Sequence, residues 1–150
     1  MSDKQIFDST KLSIVEFKLI KGQIDTPEDF VIEKVEKYNL ENSLQLGFSL
    51  EEKLVKADFT IEIKTESKSE NLKEATGSFH FVFIFRVGNL EELAILDKNN
   101  MVEVHSHLGN ALSSITYSTS RGILLTRLQG TALQNFILPI IDPNKLLHNK

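Results

Sequence analysis

His105 and His107 flank Ser106, and this closely spaced imidazole pair is the first place in the chain to look for chemistry. A metal centre needs further ligands converging on one point, and a two-residue spacing on a helix sends side chains to different faces. Serine, histidine and aspartate all occur, yet no Gly-x-Ser-x-Gly elbow presents a nucleophile and no glycine-rich loop cradles a phosphate. Glu51-Glu52 reads as a solvated turn. The chain has no cysteine, which excludes disulfides and thiolate metal sites. These patterns imply no enzyme, no cofactor and no metal. What remains is the burial of apolar surface. Residues 108–131 are crowded with small and hydroxylated side chains, and residues 132–143 form an apolar loop around Pro139. A helix of the first kind followed by a loop of the second suits a protein that buries something other than itself.

Composition bounds what can position such a surface. The 150 residues suit one domain with a modest core. Hydrophobic residues at 41% and charged residues at 25% are ordinary for a soluble globular chain. A net charge of −4 favours neither nucleic acid nor an anionic membrane surface. Residues 1–10 are polar without an apolar signal core and read as a disordered segment ahead of a single domain at 11–150. No apolar run approaches the ~20 residues of a membrane helix, so membrane insertion is not expected and the cytoplasm is the default location.

Period-two alternation marks the strands. Residues 11–24 alternate in two phases: Leu12 and Ile14 share one parity, and Val15, Phe17 and Leu19 the other. Side chains of a strand alternate faces, so the switch calls for a bulge near Ile14-Val15. Residues 28–42 read as a polar connection too long for a hairpin, which suggests a Greek-key return. Leu44, Leu46, Phe48 and Leu50 mark a half-buried second strand, and Phe59, Ile61 and Ile63 a third. Residues 64–74 look like a hairpin loop. Phe79, Phe81, Phe83 and Phe85 form a ladder on the fourth strand, with His80, Val82, Ile84 and Arg86 behind it. That strand should be central and covered on both sides, with the phenylalanines as core.

Residues 90–100 are open between helix and loop. A long helix should begin between Val102 and His105 and run to about Gln129, with Gly130 as its C-cap. Val104, Leu108, Ala111, Leu112 and Ile115 follow a helical stripe. Beyond Ile115, the residues Ser118, Thr119, Ser120 and Gly122 are poor helix formers. Small residues over a full turn allow close approach, which suggests packing on more than one side. Asp142 and Pro143 suit the start of a short terminal helix. Taken alone, residues 136–141 read either as buried cover for the sheet or as an exposed wall; the proline within the run favours exposure.

The order of these elements resembles the protein-export chaperone SecB and SecB-like proteins. The resemblance spans residues 11–147. It rests on Leu108-Gly109 at the helix start, Arg121 within it, Gly130-Thr131 after it, and the Leu-Pro-Ile-Ile-Asp-Pro run at 138–143. It implies an α+β fold, a four-stranded antiparallel Greek-key sheet with a long C-terminal helix packed on one side. It further implies a homotetramer, a dimer of dimers with Ser118, Thr119 and Gly122 at an oligomer interface. The implied activity is that of an ATP-independent holdase for unfolded or preprotein clients. The client groove would take Leu44, Leu46 and Phe48 from a strand, Leu124, Leu125 and Leu128 from the helix, and Phe136, Ile137, Leu138 and Ile140 from the loop.

Two departures bear on this. The chain stops about where the family's second helix lengthens, which implies a shallower groove. Lys21 stands near an expected acidic position, Asp25 keeps one acid, and the tail is Leu146-Leu147-His148-Asn149-Lys150, which argues against a partnership with the export motor SecA. Two other classes stay open: a dedicated interaction module, such as an antitoxin-controlling SecB-like protein, and a carrier of a small apolar ligand.

Overall fold

Alternating apolar residues build four long strands, and the computed structural model describes residues 7–68 and 73–148. β1 (Leu12–Asp25), β2 (Val35–Ser49), β3 (Leu54–Ser67) and β4 (Thr76–Val87) form one antiparallel sheet in the order β1-β4-β3-β2. Three hairpin-linked strands with the first laid beside the last is the Greek-key return. α1 (Leu90–Leu93), a small hairpin of β5 (Ala94–Leu96) and β6 (Val102–Val104), the long helix α2 (Ser106–Arg127) and the short α3 (Asn144–His148) complete the α+β fold.

The return is shorter than its polar residues implied. Residues 35–42 extend β2, so only 26–34 cross over, with a 3-10 turn at Ile32–Lys34. Tyr38 and Leu40 pair with Thr65 and Ile63 and pack against the core, while Glu41 points to the wet side. Two inward residues among polar ones gave too weak a period to stand out.

β1 carries the expected bulge and a second one. Ile14 pairs with Phe85 and Glu16 with Ile84, leaving Val15 as the extra residue; Leu19 pairs with Phe81 and Lys21 with His80, leaving Ile20. Each bulge switches parity, so Leu12, Ile14, Phe17, Leu19 and Ile24 all lie on the face of the phenylalanine ladder. β1 is also an edge strand, and Ile14, Val15, Phe17 and Ile20 are 41–55% exposed.

The ladder is core, as expected: Phe79, Phe81, Phe83 and Phe85 are all buried, and cross-strand partners Ala57, Phe59 and Ile61 complete the layer. Among the described residues of the single chain, only the ladder face of β4 is covered by helix and return segment. On the far side of β4 Val82 is buried, His80 and Ile84 are half-buried and Arg86 is exposed. Val82 sits between Lys18 of β1 and Asp58 of β3 on this face.

α2 begins later than its stripe suggested, because residues 102–104, with Val104 among them, form β6 instead of a first turn. Residues 90–100, left open above, divide into α1, β5 and a turn. His105 is the N-cap, its Nδ1 accepting from the His107 amide at 3.2 Å. Since His105 sits outside the helix, the two rings do not diverge as helical spacing predicted; they meet edge to face at 5.0 Å. α2 ends at Arg127 and its C-cap is Leu128, not Gly130, because the Leu128 amide still closes the last turn on the Leu124 carbonyl; Gly130 lies two residues further on, where its left-handed φ of +76 turns the chain. The Asp142 carboxylate accepts from the Asn144 amide at 3.1 Å, capping α3 as its position predicted.

At the N-terminus, the disorder expected for residues 1–10 lies outside the described residues at 1–6. Phe7 packs against the core, Asp8 caps a 3-10 turn at Ser9–Lys11, and so the last part of that stretch is ordered. Residues 69–72 of the hairpin loop likewise lie outside the described residues.

Candidate functional site

The site grows from one seam of α2. Leu108, Leu112, Ser113, Thr116, Tyr117, Ser120 and Leu124 are buried against the sheet, and the Tyr117 ring meets Phe59 at 5.7 Å. Small hydroxylated residues at 113, 116 and 120 let the helix axis sit close to the strands. Ser113 satisfies its hydroxyl on the Gly109 carbonyl at 2.8 Å, whereas the Thr116 and Ser120 hydroxyl oxygens are buried without a partner. An unpaired buried hydroxyl costs about 1–3 kcal/mol.

Beyond Gly130 the chain turns and runs back along the helix. Leu133, Phe136 and Leu138 drop into the core at 0–5% exposure, with Phe136 set edge-on to Tyr38 at 5.3 Å. Leu133 lies over Gly77, where a Cβ would come within 2.5 Å of its methyl, so a larger residue there would force the leucine to shift. Leu147 reaches Gly109 near the helix start. Residues 137–142 have no regular structure. Two donors hold them: Arg121 Nε donates to the Leu138 carbonyl at 3.1 Å and Tyr117 Oη to the Pro139 carbonyl at 2.6 Å. The guanidinium lies 5.3 Å from the Tyr117 ring centroid. Burial raises the Tyr117 pKa, partly opposed by Arg121, so the phenol keeps its proton as a donor.

Between the inward anchors Phe136 and Leu138, Ile137 is turned out, and beyond Pro139 Ile140 also faces solvent. Ile137 is 59% and Ile140 90% exposed, and Leu125, one turn beyond Arg121 on α2, is 41% exposed. The ten groove residues expected from the resemblance therefore divide. Leu44, Leu124, Leu128, Phe136 and Leu138 are closed inside one apolar cluster, and Leu46 and Phe48 are half-buried against it. Leu125, Ile137 and Ile140 lie outside that cluster and are exposed. On the helix, Ser118 and Gly122 are exposed and Thr119 is half-buried; no atom lies within 4 Å of where a Gly122 Cβ would be.

Sequence reasoning missed the paired donors, although Tyr117 and Arg121 at i and i+4 on one helix face were the available signal. It also missed the exposed Ile95, Leu96 and Met101 on the β5–β6 hairpin, where no period longer than three residues exists to read. A shallow cleft of about 250 Å³ lies there between Glu92, Ile95, Glu103 and His105. On the open sheet face, Ser43, Asp58, Thr60 and His80 line a second, of about 270 Å³. Its groups satisfy one another, Ser43 Oγ with Thr60 Oγ1 at 2.9 Å and His80 Nε2 with Asp58 at 2.8 Å. Among the described residues no three His, Asp or Glu side chains are grouped to hold a metal ion.

A four-stranded Greek-key sheet carrying one long helix and an apolar return segment is the SecB-like fold. The chain is similar in structure to the Mycobacterium tuberculosis Rv1957 SecB-like chaperone, solved in complex with a ChAD peptide from the Rv1956 HigA1 antitoxin. The TM-score is 0.61 at 14% identity, over 89% of this chain and 92% of that one. A protein of unknown function from Streptococcus agalactiae aligns at a TM-score of 0.38 and 12% identity, over 86% of this chain and 97% of that one. No protein-family model and no curated protein matches the sequence. Among the described residues no helix is long and apolar enough to cross a membrane.

Proposed function

We propose that this chain is a non-enzymatic, ATP-independent holdase of the cytoplasm that binds extended apolar segments of unfolded proteins. The observation that carries the reading is Ile140, 90% exposed on a segment tied to α2 by two hydrogen bonds and anchored by buried residues on the same segment. An isoleucine held out in water loses the hydrophobic stabilisation it would gain by folding inward, so its position suits a partner. On this reading the exposed Leu125 and Ile137 would extend the surface, and half-buried Leu46 and Phe48 on β2 would border it. Of the ten expected groove residues, the five buried ones support this surface from beneath.

A homotetramer goes with this reading. A dimer of dimers needs two different self-complementary surfaces, and the chain has two candidates. One is the edge of β1 with Ile14, Val15, Phe17 and Ile20; the other is the outer face of α2 at Ser118, Thr119 and Gly122. Export through SecA is not part of the proposal. Lys21 is exposed, and Asp25 accepts a hydrogen bond from Gln23 at 2.9 Å, so the expected acidic cluster is weakened.

The second reading is a dedicated interaction module with one partner, favoured by the antitoxin peptide bound to the structural neighbour. Light scattering separates the two. The holdase suppresses heat-induced aggregation of several unrelated proteins at stoichiometric concentration without nucleotide. Protection of a single partner supports the module, and protection of none removes the holdase reading.

A further inference from the structure

We propose that Arg121 and Tyr117 are positioning residues that preorganise the Ile137–Ile140 wall for an apolar client segment. The inference rests on the holdase reading and assigns a role to a helical pair that contacts no client itself. The stretch from 137 to 142 has no secondary structure, and Pro139 has no amide proton to tie it down. Left to local preferences, such a segment samples many conformations, and its isoleucines are drawn toward any apolar surface within reach.

Two consecutive carbonyls, those of Leu138 and Pro139, are instead held by donors four residues apart on the same face of α2. The guanidinium, over the phenol ring, is held in turn by the residue beside which it donates. Phe136 and Leu138 are buried below, so Ile137 is turned outward by alternation and Ile140 follows the fixed carbonyl of Pro139. The ordering cost that a client would otherwise meet on binding is thus met during folding, which raises affinity without adding a contact. Each of the two carbonyls already accepts one hydrogen bond from the helix, so a client meets mainly side chains here, with strand addition at these two residues disfavoured.

The test compares Arg121→Met, Arg121→Lys and Tyr117→Phe, with Arg86→Met on the far sheet face as control. Binding of reduced, carboxymethylated α-lactalbumin, a permanently unfolded protein, is measured alongside native-state cleavage by thermolysin within residues 136–141. Arg121→Met and Tyr117→Phe should each speed that cleavage and weaken binding about tenfold, the scale set by one lost hydrogen bond of about 1.4 kcal/mol. Arg121→Lys, which keeps the cation but not the fixed Nε donor, should fall between, and Arg86→Met should match the parent. Tyr117→Phe keeps the ring against Phe59 and so answers the question even where Arg121→Met fails to fold. Faster cleavage with unchanged affinity overturns the positioning role, and so does unchanged cleavage. If the parent protein itself binds no unfolded chain, the holdase reading falls, while the cleavage rates still report whether the pair holds the segment.

Discussion

Two substitutions four residues apart should have opposite consequences, because one side chain is core and the other surface. Phe136 is 5% exposed and meets Tyr38 edge to face at 5.3 Å. Phe136→Ala should cost ~3–5 kcal/mol, the range for deleting a buried aromatic ring. At ~2–4 °C per kcal/mol for a chain of this size, Tm falls by ~6–20 °C. Ile140 is 90% exposed, so Ile140→Asp should move stability by no more than ~0.5 kcal/mol. Its effect should fall on binding instead. Burying an isoleucine fully against a client is worth ~1.5–3 kcal/mol. At 1.4 kcal/mol per decade, affinity for an unfolded protein drops ~10- to 100-fold. Thermal unfolding followed by circular dichroism gives the first quantity, and fluorescence anisotropy with a labelled unfolded protein gives the second. If Ile140→Asp lowers Tm as far as Phe136→Ala, the return segment is packed more tightly than its exposure indicates. If Ile140→Asp leaves affinity unchanged, the wall is not where clients bind, and the reasoning from exposure fails.

Sedimentation at micromolar concentration should show a tetramer, with Phe17→Asp on the β1 edge and Gly122→Glu on the outer face of α2 each yielding a smaller species; a clean parent monomer contradicts the two-interface assembly. Ser120→Ala should leave stability unchanged or raise it by up to ~1–3 kcal/mol, since it removes a buried hydroxyl that has no partner; a clear loss of Tm would mean that the hydroxyl is bonded in solution. Burial pushes the Glu74 carboxyl up, but hydrogen bonds from the Ser67 amide and the Thr65 and Ser67 hydroxyls outweigh it, so its pKa lies below the ordinary glutamate value. Its stabilising contribution is therefore present above the ordinary range and lost as pH falls through the lowered folded value. Urea melts across that range should show a shallower pH dependence for Glu74→Gln than for the parent, and equal slopes would rule the linkage out.

Much of the fold is written in local periodicity, which is why it was legible. Strict alternation at Leu44, Leu46 and Phe48 and at Phe59, Ile61 and Ile63 can only be a half-buried strand, because side chains of a strand alternate faces. The parity switch at Ile14-Val15 required a bulge for the same reason, and the glycine after the helix and the Asp142 cap followed from backbone chemistry. The phenylalanine ladder placed the core. What alternation cannot report is pairing at a distance. Residues 35–42 became strand because β3 was long enough to hold them, and residues 102–104 left the helix because β5 lay alongside. Burial at the site was decided the same way. An apolar run such as 136–141 has the same composition whether it faces core or water. Only the packed structure, with Tyr38 beneath Phe136 and the Arg121 and Tyr117 donors on two successive carbonyls, determines that Phe136 and Leu138 point in while Ile137 and Ile140 stay out.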